Sequence, residues 1–533
     1  MKVNEASRLA VENVAREGLT DIFPAPKELN LLKNLAFRRK IVKEISNCIN
    51  GNSLDSLAIG SIDHVLLPKG GPFDFRKCAL IHPIDTIKYL ALSLTIAEEL
   101  EKFRPSNRRH IVFSYRYHPQ KGYLFHPKYN ITAFRERVRT CSRQVSTKVL
   151  VSCDIANFYD RLNLHRLESI LLSLSIDKIR VSQLNELLLF WANRDSYGLP
   201  VGSNASRILA EAALIEVDNY LLSIGAKFCR FVDDYRLFAP SAHTAHYWLT
   251  QLIERLWIEG LTINMSKTKI EDVSNFMPTG STPSPTAEFF DGQPSCRPKA
   301  SEDPKPQFRI VAGYGGIIPT RFRKPTSEEF SRLQGANASS VLNKLKAKQI
   351  LPPDEVLHYA KVVVSQGKFR AFSHFPDLAE MFPQFTPYLI DILIKYADET
   401  PAMIRSKIVE GFAERLKTRP PLPEYITIAI VRLLGTEGYK DKTALLEYFR
   451  ALRRNAGAYI GRAILDSLEA QLSRGEVLEI RRYFQRADQW EKRQIVCIVN
   501  SHLSESEKRP WMKNVRSQES LDIFLAEYIK PTK

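Results

Sequence analysis

At 533 residues the chain is too long for one compact domain and points to about two to four, and an apolar share of 44% is ample for their cores. Lys and Arg outnumber Asp and Glu by 76 to 59, a net charge of +17 that favours a polyanionic partner without separating DNA from RNA. Seven cysteines (Cys48, Cys78, Cys141, Cys153, Cys229, Cys296 and Cys497) include no Cys-x-x-Cys, so they read as buried thiols in a reducing cytoplasm rather than as zinc ligands or disulfides.

The N-terminus, from Met1-Lys2-Val3-Asn4-Glu5-Ala6 on, carries an amphipathic helical pattern without the apolar core of a signal peptide. No run approaches the roughly 18 apolar residues of a membrane span, so no membrane partner is expected. Pro83-Ile84-Asp85 precedes a helix predicted from about Thr86 to Lys102, with Asp85 near its cap. The basic, aromatic, β-rich run Arg108 to His118 suits contact with a triphosphate or a strand backbone through charge and stacking, and Arg116 is its best triphosphate candidate.

Lys148 to Asp154 reads as a β-branched apolar strand that ends on a carboxylate and runs into the aromatic turn Ile155-Ala156-Asn157-Phe158-Tyr159. Tyr197-Gly198-Leu199-Pro200-Val201-Gly202-Ser203 is a Gly/Pro loop opening a helix, where the backbone can approach a ligand and the helix start favours negative charge. Lys227 to Ala239 reads as strand, tight turn, strand, with Asp233 and Asp234 at the tip. Adjacent bare carboxylates repel unless a cation neutralises them, and Mg²⁺ takes oxygen ligands while leaving positions open for substrate phosphates. If Asp154 and Asp233 lie on neighbouring strands, they could hold two metals about 3.5–4 Å apart for phosphoryl transfer. Glu259 to Lys269 then gives a turn, a strand and a basic end.

In this order the four segments resemble the palm of a reverse transcriptase, over roughly residues 30 to 280. Asp154 begins what resembles motif A, Gly198 to Ser206 motif B, Phe231-Val232-Asp233-Asp234 the Tyr-x-Asp-Asp of motif C, and Gly260 to Lys269 motif D. The resemblance implies that Asp154, Asp233 and Asp234 are catalytic. Asp154, Asp233 and the Ile155 backbone carbonyl would hold two Mg²⁺ ions, with Mn²⁺ as a substitute, and Asp234 would support the site. Tyr159 would be the steric gate against a ribose 2′-hydroxyl, and Val201, Gly202, Lys267 and Arg116 would bind the nucleotide, with Lys267 neutralising or protonating the pyrophosphate. Templated relatives carry Gln where Val201 stands, and valine cannot hydrogen-bond nucleotide or template.

Residues 276 to 308 are rich in Pro, Gly and Ser, as in Pro278-Thr279-Gly280-Ser281-Thr282-Pro283, and a short β-like piece follows from Phe308 to Tyr314. From Ser327 the pattern is helical to the end, with predicted helices at Ala402 to Leu416, Glu424 to Leu434, Thr443 to Arg453, Tyr459 to Leu472, Val477 to Arg486 and Trp490 to His502. Short connections favour antiparallel pairs that could stack as a degenerate HEAT-like array.

The expected fold class is therefore α+β, a right-hand fingers–palm unit followed by an all-α, HEAT-like C-terminal domain. The expected domains are an N-terminal helical segment (1–30), fingers and palm (31–275), a connection (276–326) and the helical repeat domain (327–533). A fingers–palm unit followed directly by helices resembles the abortive-infection and related defence reverse transcriptases of bacteria. That resemblance implies anti-phage DNA synthesis from dNTPs, template-independent, primed by a protein hydroxyl, in a homo-oligomer carrying a single-stranded DNA product. Tyr115, Tyr117, Tyr123 and Tyr129 are priming candidates, with tyrosines of the helical domain also open. The alternative is a templated enzyme copying a partner non-coding RNA, as retron enzymes do. A nucleic-acid-binding scaffold with an inactive palm is the reading from another class, and intact Asp154, Asp233 and Asp234 count against it.

Overall fold

Strands β1 (Asp63–Pro68) and β2 (Phe75–Leu80) form one two-stranded sheet, and β3 (Tyr117–Gln120) and β4 (Tyr123–Phe125) another. Strands β5 (Val149–Asp154), β6 (Phe228–Phe231), β7 (Asp234–Ala239) and β8 (Lys269–Asp272) form a four-stranded sheet in the order β6-β7-β5-β8. These come from a computed structural model, which describes residues 1–19, 26–68, 75–192, 195–273, 322, 324–347, 353–417, 421–452, 457, 459–518 and 522–529. The chain divides into two units. One holds Met1–Ile62 and the described residues from Ala79 to 273; the other holds Asp63–Cys78 and the described residues from 322 on. The β-like piece at 308–314, Cys296 and most of the predicted connection 276–326 lie outside the described residues.

In the first unit the apolar run Val149-Leu150-Val151 makes β5 a central strand, antiparallel to β7 on one side and β8 on the other. Helices α1 (Val3–Glu17), α2 (Leu35–Asn50) and α3 (Pro83–Phe103) are mutually packed, and α3 is buried along most of its length because its sequence is apolar on every side. Asp85 lies in the first turn of α3, as its sequence position suggests; it accepts from the Gly60 N–H at 3.0 Å and pairs with Lys88 at 3.6 Å. Helix α4 (Ile131–Ser142) packs on β6 and β7. Helix α5 (Asn204–Ala212) is wholly buried and is followed by α6 (Ile215–Ser223) and α7 (Ala242–Ile258). The β-rich expectation for 108–118 is met in part. Asn107–Arg109 is a 3₁₀ turn, and Ile111 to Phe113 then runs beside β6, with the Arg230 N–H donating to Ile111 O at 2.8 Å and the Phe113 N–H to Arg230 O at 2.9 Å.

The second unit is helical, as predicted. Helices α9 (Ala402–Arg415), α10 (Glu424–Leu434), α11 (Lys442–Ala451), α12 (Ile460–Leu468), α13 (Arg474–Tyr483) and α14 (Gln489–His502) match the six predicted segments to within a few residues at each end, and α8 (Thr386–Lys395), for which no segment was named, precedes them. They alternate in burial. Helices α8, α10, α12 and α14 are mostly buried and pack each on the next, whereas α9, α11 and α13 bury only narrow stripes such as Ile404, Ile408 and Phe412. One enclosed layer flanked by an amphipathic one is how stacked helix pairs share a continuous core.

The β1–β2 hairpin belongs to this unit. β1 packs on α10, Phe75 lies 5.9 Å from the Tyr425 ring, and the Trp490 indole donates to Asp63 at 3.2 Å. His64 of β1 is held down to about 4 by burial, reinforced by Lys77. The folded state thus favours neutral His64, so its contribution is full above about pH 6.5 and fades as pH falls from there towards 4. Thermal melts at pH 7.5 and pH 5 should show a larger acid loss for the native chain than for His64→Gln; equal losses would contradict it. Among the described residues no helix is long and apolar enough to cross a membrane.

Candidate functional site

The site grows from the turn between β6 and β7. Phe231 pairs with Asp234, so only Val232 and Asp233 span the hairpin. Val232 has φ +58°, a conformation that costs a β-branched residue about 1–3 kcal/mol and persists only where neighbours enforce it. Both of its peptide groups are held from inside. The Val232 N–H donates to Ser114 Oγ at 2.9 Å, and Val232 O accepts from Arg230 Nη1 at 2.7 Å.

Those two holders rest on a buried charge network. Arg230 is fully buried and donates to both oxygens of Asp218 and, at 2.9 Å, to Glu211 Oε2. Ser114 donates to Glu211 Oε1, Arg104 at the end of α3 donates to Glu211 Oε2 at 2.6 Å, and the Tyr235 hydroxyl donates to Asp218 at 3.0 Å. Burial alone would raise the Glu211 carboxyl, but Arg230 and Arg104 hold it below its ordinary value. Glu211 lies at the far end of α5, so the helix that follows the Gly/Pro loop is tied to the aspartate turn.

On the sheet, Asp154 ends β5 directly opposite Asp234, the first residue of β7, and the Ile155 N–H donates to Asp233 O at 3.1 Å. The three carboxylate residues predicted from sequence are thus brought to one edge of the sheet. The stretch after Gly260 closes the same edge: the Ala156 N–H donates to Thr262 O at 2.8 Å and the Asn264 N–H to Asp154 O at 2.6 Å. Lys267 Nζ then reaches Asp154 Oδ2 at 3.1 Å from a largely exposed side chain. Arg236, two residues past Asp234 and on the same strand face, grips both oxygens of Asp234, one of them at 3.1 Å. Burial pushes the Asp234 carboxyl up, Arg236 opposes, and Asp154 adds to the rise. The neighbouring Cys153 thiol is pushed up to about 11 by burial, which keeps it protonated and unreactive.

Tyr159 is 7% exposed, and its carbonyl accepts from the Leu199 N–H at 2.9 Å, while the Gly198 N–H donates to Leu162 O at 2.8 Å. The aromatic turn and the Gly/Pro loop are therefore stitched together. Gly202 has φ +123°, open to glycine and strained for any other residue; Val201 is buried and its carbonyl accepts from the Ala79 N–H at 3.0 Å. Ser203 caps α5 through the Ala205 and Ser206 N–H groups. Arg116 is 2% exposed and ion-paired to Glu101 at 2.7 Å, and burial lowers it to about 10. Of the tyrosine candidates, Tyr115 (φ +42°) is half-buried against Phe125 and Phe231, and Tyr117 is half-buried with its hydroxyl pushed up by burial. Tyr123 is 43% exposed under Arg16, and the Tyr129 hydroxyl donates to Asn107 O at 3.0 Å.

Sequence reasoning missed Ser114, Glu211, Arg230 and Asp218, whose side chains carry no local pattern. It also missed Arg236, which the period-2 rule places beside Asp234. Among the described residues no three His, Cys, Asp or Glu side chains gather as a ready metal cage. The donors that converge at the strand ends are hard carboxylate oxygens, those of Asp154 and Asp234 already facing Lys267 and Arg236, and hard oxygen donors are the chemistry that suits Mg²⁺.

Residues 83–288 match the model of the family described as "Reverse transcriptase (RNA-dependent DNA polymerase)". No curated protein matches the chain. Similar solved structures include apo telomerase from Candida Tropicalis, at 12% identity over 69% of this chain and 68% of that chain with a TM-score of 0.31. Telomerase from Candida albicans in complex with a TWJ fragment of telomeric RNA matches at 12% identity over 76% and 66% of the two chains, with a TM-score of 0.31. The corresponding complex from Candida Tropicalis matches at 11% identity over 79% and 63%, again at 0.31. The chain spans about two thirds of the length of each. The 83–288 region is a polymerase-like nucleotidyltransferase domain, and a helical C-terminal region follows it.

Proposed function

We propose that this chain is a DNA polymerase of the bacterial defence type, adding dNTPs by two-metal nucleotidyl transfer without a template and from a protein hydroxyl. The observation that carries it is the in-register pairing of Asp154 with Asp234, with Asp233 on the turn between β6 and β7, inside the region that matches the reverse transcriptases. Asp154 and Asp233, with the Ile155 carbonyl, would hold Mg²⁺, which when bound neutralises the phosphates and lowers the pKa of the attacking hydroxyl. That hydroxyl loses its proton to solvent as its oxygen bonds to the α-phosphorus, the bond from the α-phosphorus to the α,β-bridging oxygen breaks, and pyrophosphate leaves with that electron pair. Lys267, on its largely exposed stem, would exchange Asp154 for a pyrophosphate oxygen and donate a proton there.

Tyr159 borders the nucleotide as the gate against a 2′-hydroxyl, so Tyr159→Ala should admit ribonucleotides at least about tenfold better, read from rNTP against dNTP incorporation. Val201 supports template independence, since its apolar side chain offers neither donor nor acceptor where templated relatives use Gln. An anti-phage role, a homo-oligomer in the cytoplasm and a single-stranded DNA product complete the reading. The second reading, a templated enzyme with a partner non-coding RNA, draws on the chain's net charge of +17.

The test is incubation of the purified chain with each labelled dNTP and Mg²⁺, with and without RNase, resolved on denaturing gels before and after proteinase. Label that stays with the protein, resists RNase and is released by proteinase supports protein-primed, untemplated synthesis. RNase-sensitive incorporation supports the second reading, and no incorporation with any dNTP rejects both.

A further inference from the structure

We propose that the outer face of α4, continued by the turn Asn107 to His110, binds a single-stranded nucleic acid; this rests on the polymerase reading above and names where its strand lies. Helix α4 turns Phe134, Val138 and Cys141 inward, and the Phe134 ring sits 6.0 Å from Phe231, two residues before Asp233. Arg135, Arg139 and the C-cap Arg143 recur every four residues on the other side, about 6 Å apart along the axis. Arg139 and Arg143 are exposed and Arg135 half-buried.

The N-terminal end of this stripe meets a second basic segment. The Tyr129 hydroxyl donates to Asn107 O at 3.0 Å, and the exposed His110 ring stacks on Tyr129 at 6.2 Å and 17°. Arg108, Arg109 and Lys128 are exposed around that stack. None of these six arginines and lysines has a carboxylate partner among the described residues, and Glu136, the one acid on α4, pairs with none of them. The exposed Arg450 and Arg474 of the helical unit, by contrast, are paired with Glu479 and Glu507.

Like charges four residues apart destabilise a helix slightly, so an unneutralised stripe is a standing cost that a polyanion would relieve. Cations at regular spacing fit successive phosphates, and the exposed His110 ring, backed by the half-buried Tyr129, offers a stacking face that paired bases in a duplex cannot reach.

The test uses the full chain without Mg²⁺ or dNTP, and fluorescence anisotropy of a labelled oligo(dT) of about 30 nucleotides over a range of NaCl concentrations. The triple variant Arg135→Gln, Arg139→Gln, Arg143→Gln should weaken binding about tenfold or more and lower the slope of log affinity against log salt by about 2, close to 0.7 for each lost phosphate contact. His110→Ala should weaken binding about tenfold with the slope unchanged. The triple Arg481→Gln, Arg482→Gln, Arg486→Gln, which lies in the helical unit, should leave both unchanged. A native slope in the α4 triple overturns the surface, and equal affinity for a blunt duplex overturns the single strand. Oligonucleotide binding is read apart from dNTP incorporation, so a chain that binds through α4 and incorporates nothing would reject the polymerase reading while keeping this surface.

Discussion

Asp233→Ala is expected to reduce dNTP incorporation by roughly four orders of magnitude, the equivalent of about 5 kcal/mol of lost charge stabilisation at the reacting phosphate. The size follows from position. Asp233 sits at the apex of a two-residue turn whose backbone is fixed on both sides of Val232, so no neighbouring carboxylate can swing in to replace it. Asp234 is the nearest substitute, and Arg236 already holds both of its oxygens. The same logic gives Asp154→Asn a comparable loss, because Asp154 is the strand-end partner opposite Asp234. Both variants should keep the native melting temperature to within a few degrees, since each removes a partly exposed charge from a crowded anionic edge. Incorporation within tenfold of the native chain, measured with Mg²⁺ and matched protein, would move the chemistry away from this turn.

Arg230→Met carries the largest expected stability loss, about 3–5 kcal/mol. The guanidinium is fully buried and supplies the only cation bonded to Asp218 among the described residues, so its removal strands that carboxylate in an apolar interior. A loss of that size should lower the melting temperature by roughly 10 °C. Arg230→Met also frees Val232 O, so incorporation should fall further than the folded fraction does. Ser114→Ala separates the two effects. It removes one hydroxyl, leaves Arg230 on Asp218 and Glu211, and should lower kcat with little change in KM for dNTP. An Arg230→Met chain that melts with the native protein would show that the network contributes no net stability.

The parts of the fold that the sequence disclosed are those with a local signature. The apolar strand ending at Asp154, the Val232-Asp233 turn and the Gly/Pro loop before α5 each announce themselves within about a dozen residues. The helical periodicity after residue 327 located α9 to α14 for the same reason. What stayed hidden depends on contacts across long separations. Ser114 reaches Val232 across 118 residues and Glu211 across 97, and a lone serine beside a tyrosine carries no hint of either. Arg230 and Asp218 sit in an apolar strand and a helix where a charge reads as surface, and only their pairing explains their burial. Arg116 shows the converse: a basic residue in a basic run was assigned to a ligand, and the structure places it on Glu101 in the interior.

The hairpin of residues 63–78 sets a timetable for the growing chain. It is made early, yet Tyr425, which its Phe75 touches, and Trp490, which bonds Asp63, come off the ribosome far later; the second of these pairs is 427 residues apart. At about 5–20 residues per second the hairpin waits roughly 20 to 90 s for its partners. During that interval its apolar side chains are open to solvent and to other nascent chains. A gene cut at residue 275 or 326 would make the wait permanent, so a shortened polymerase unit should be soluble only if the hairpin is removed as well.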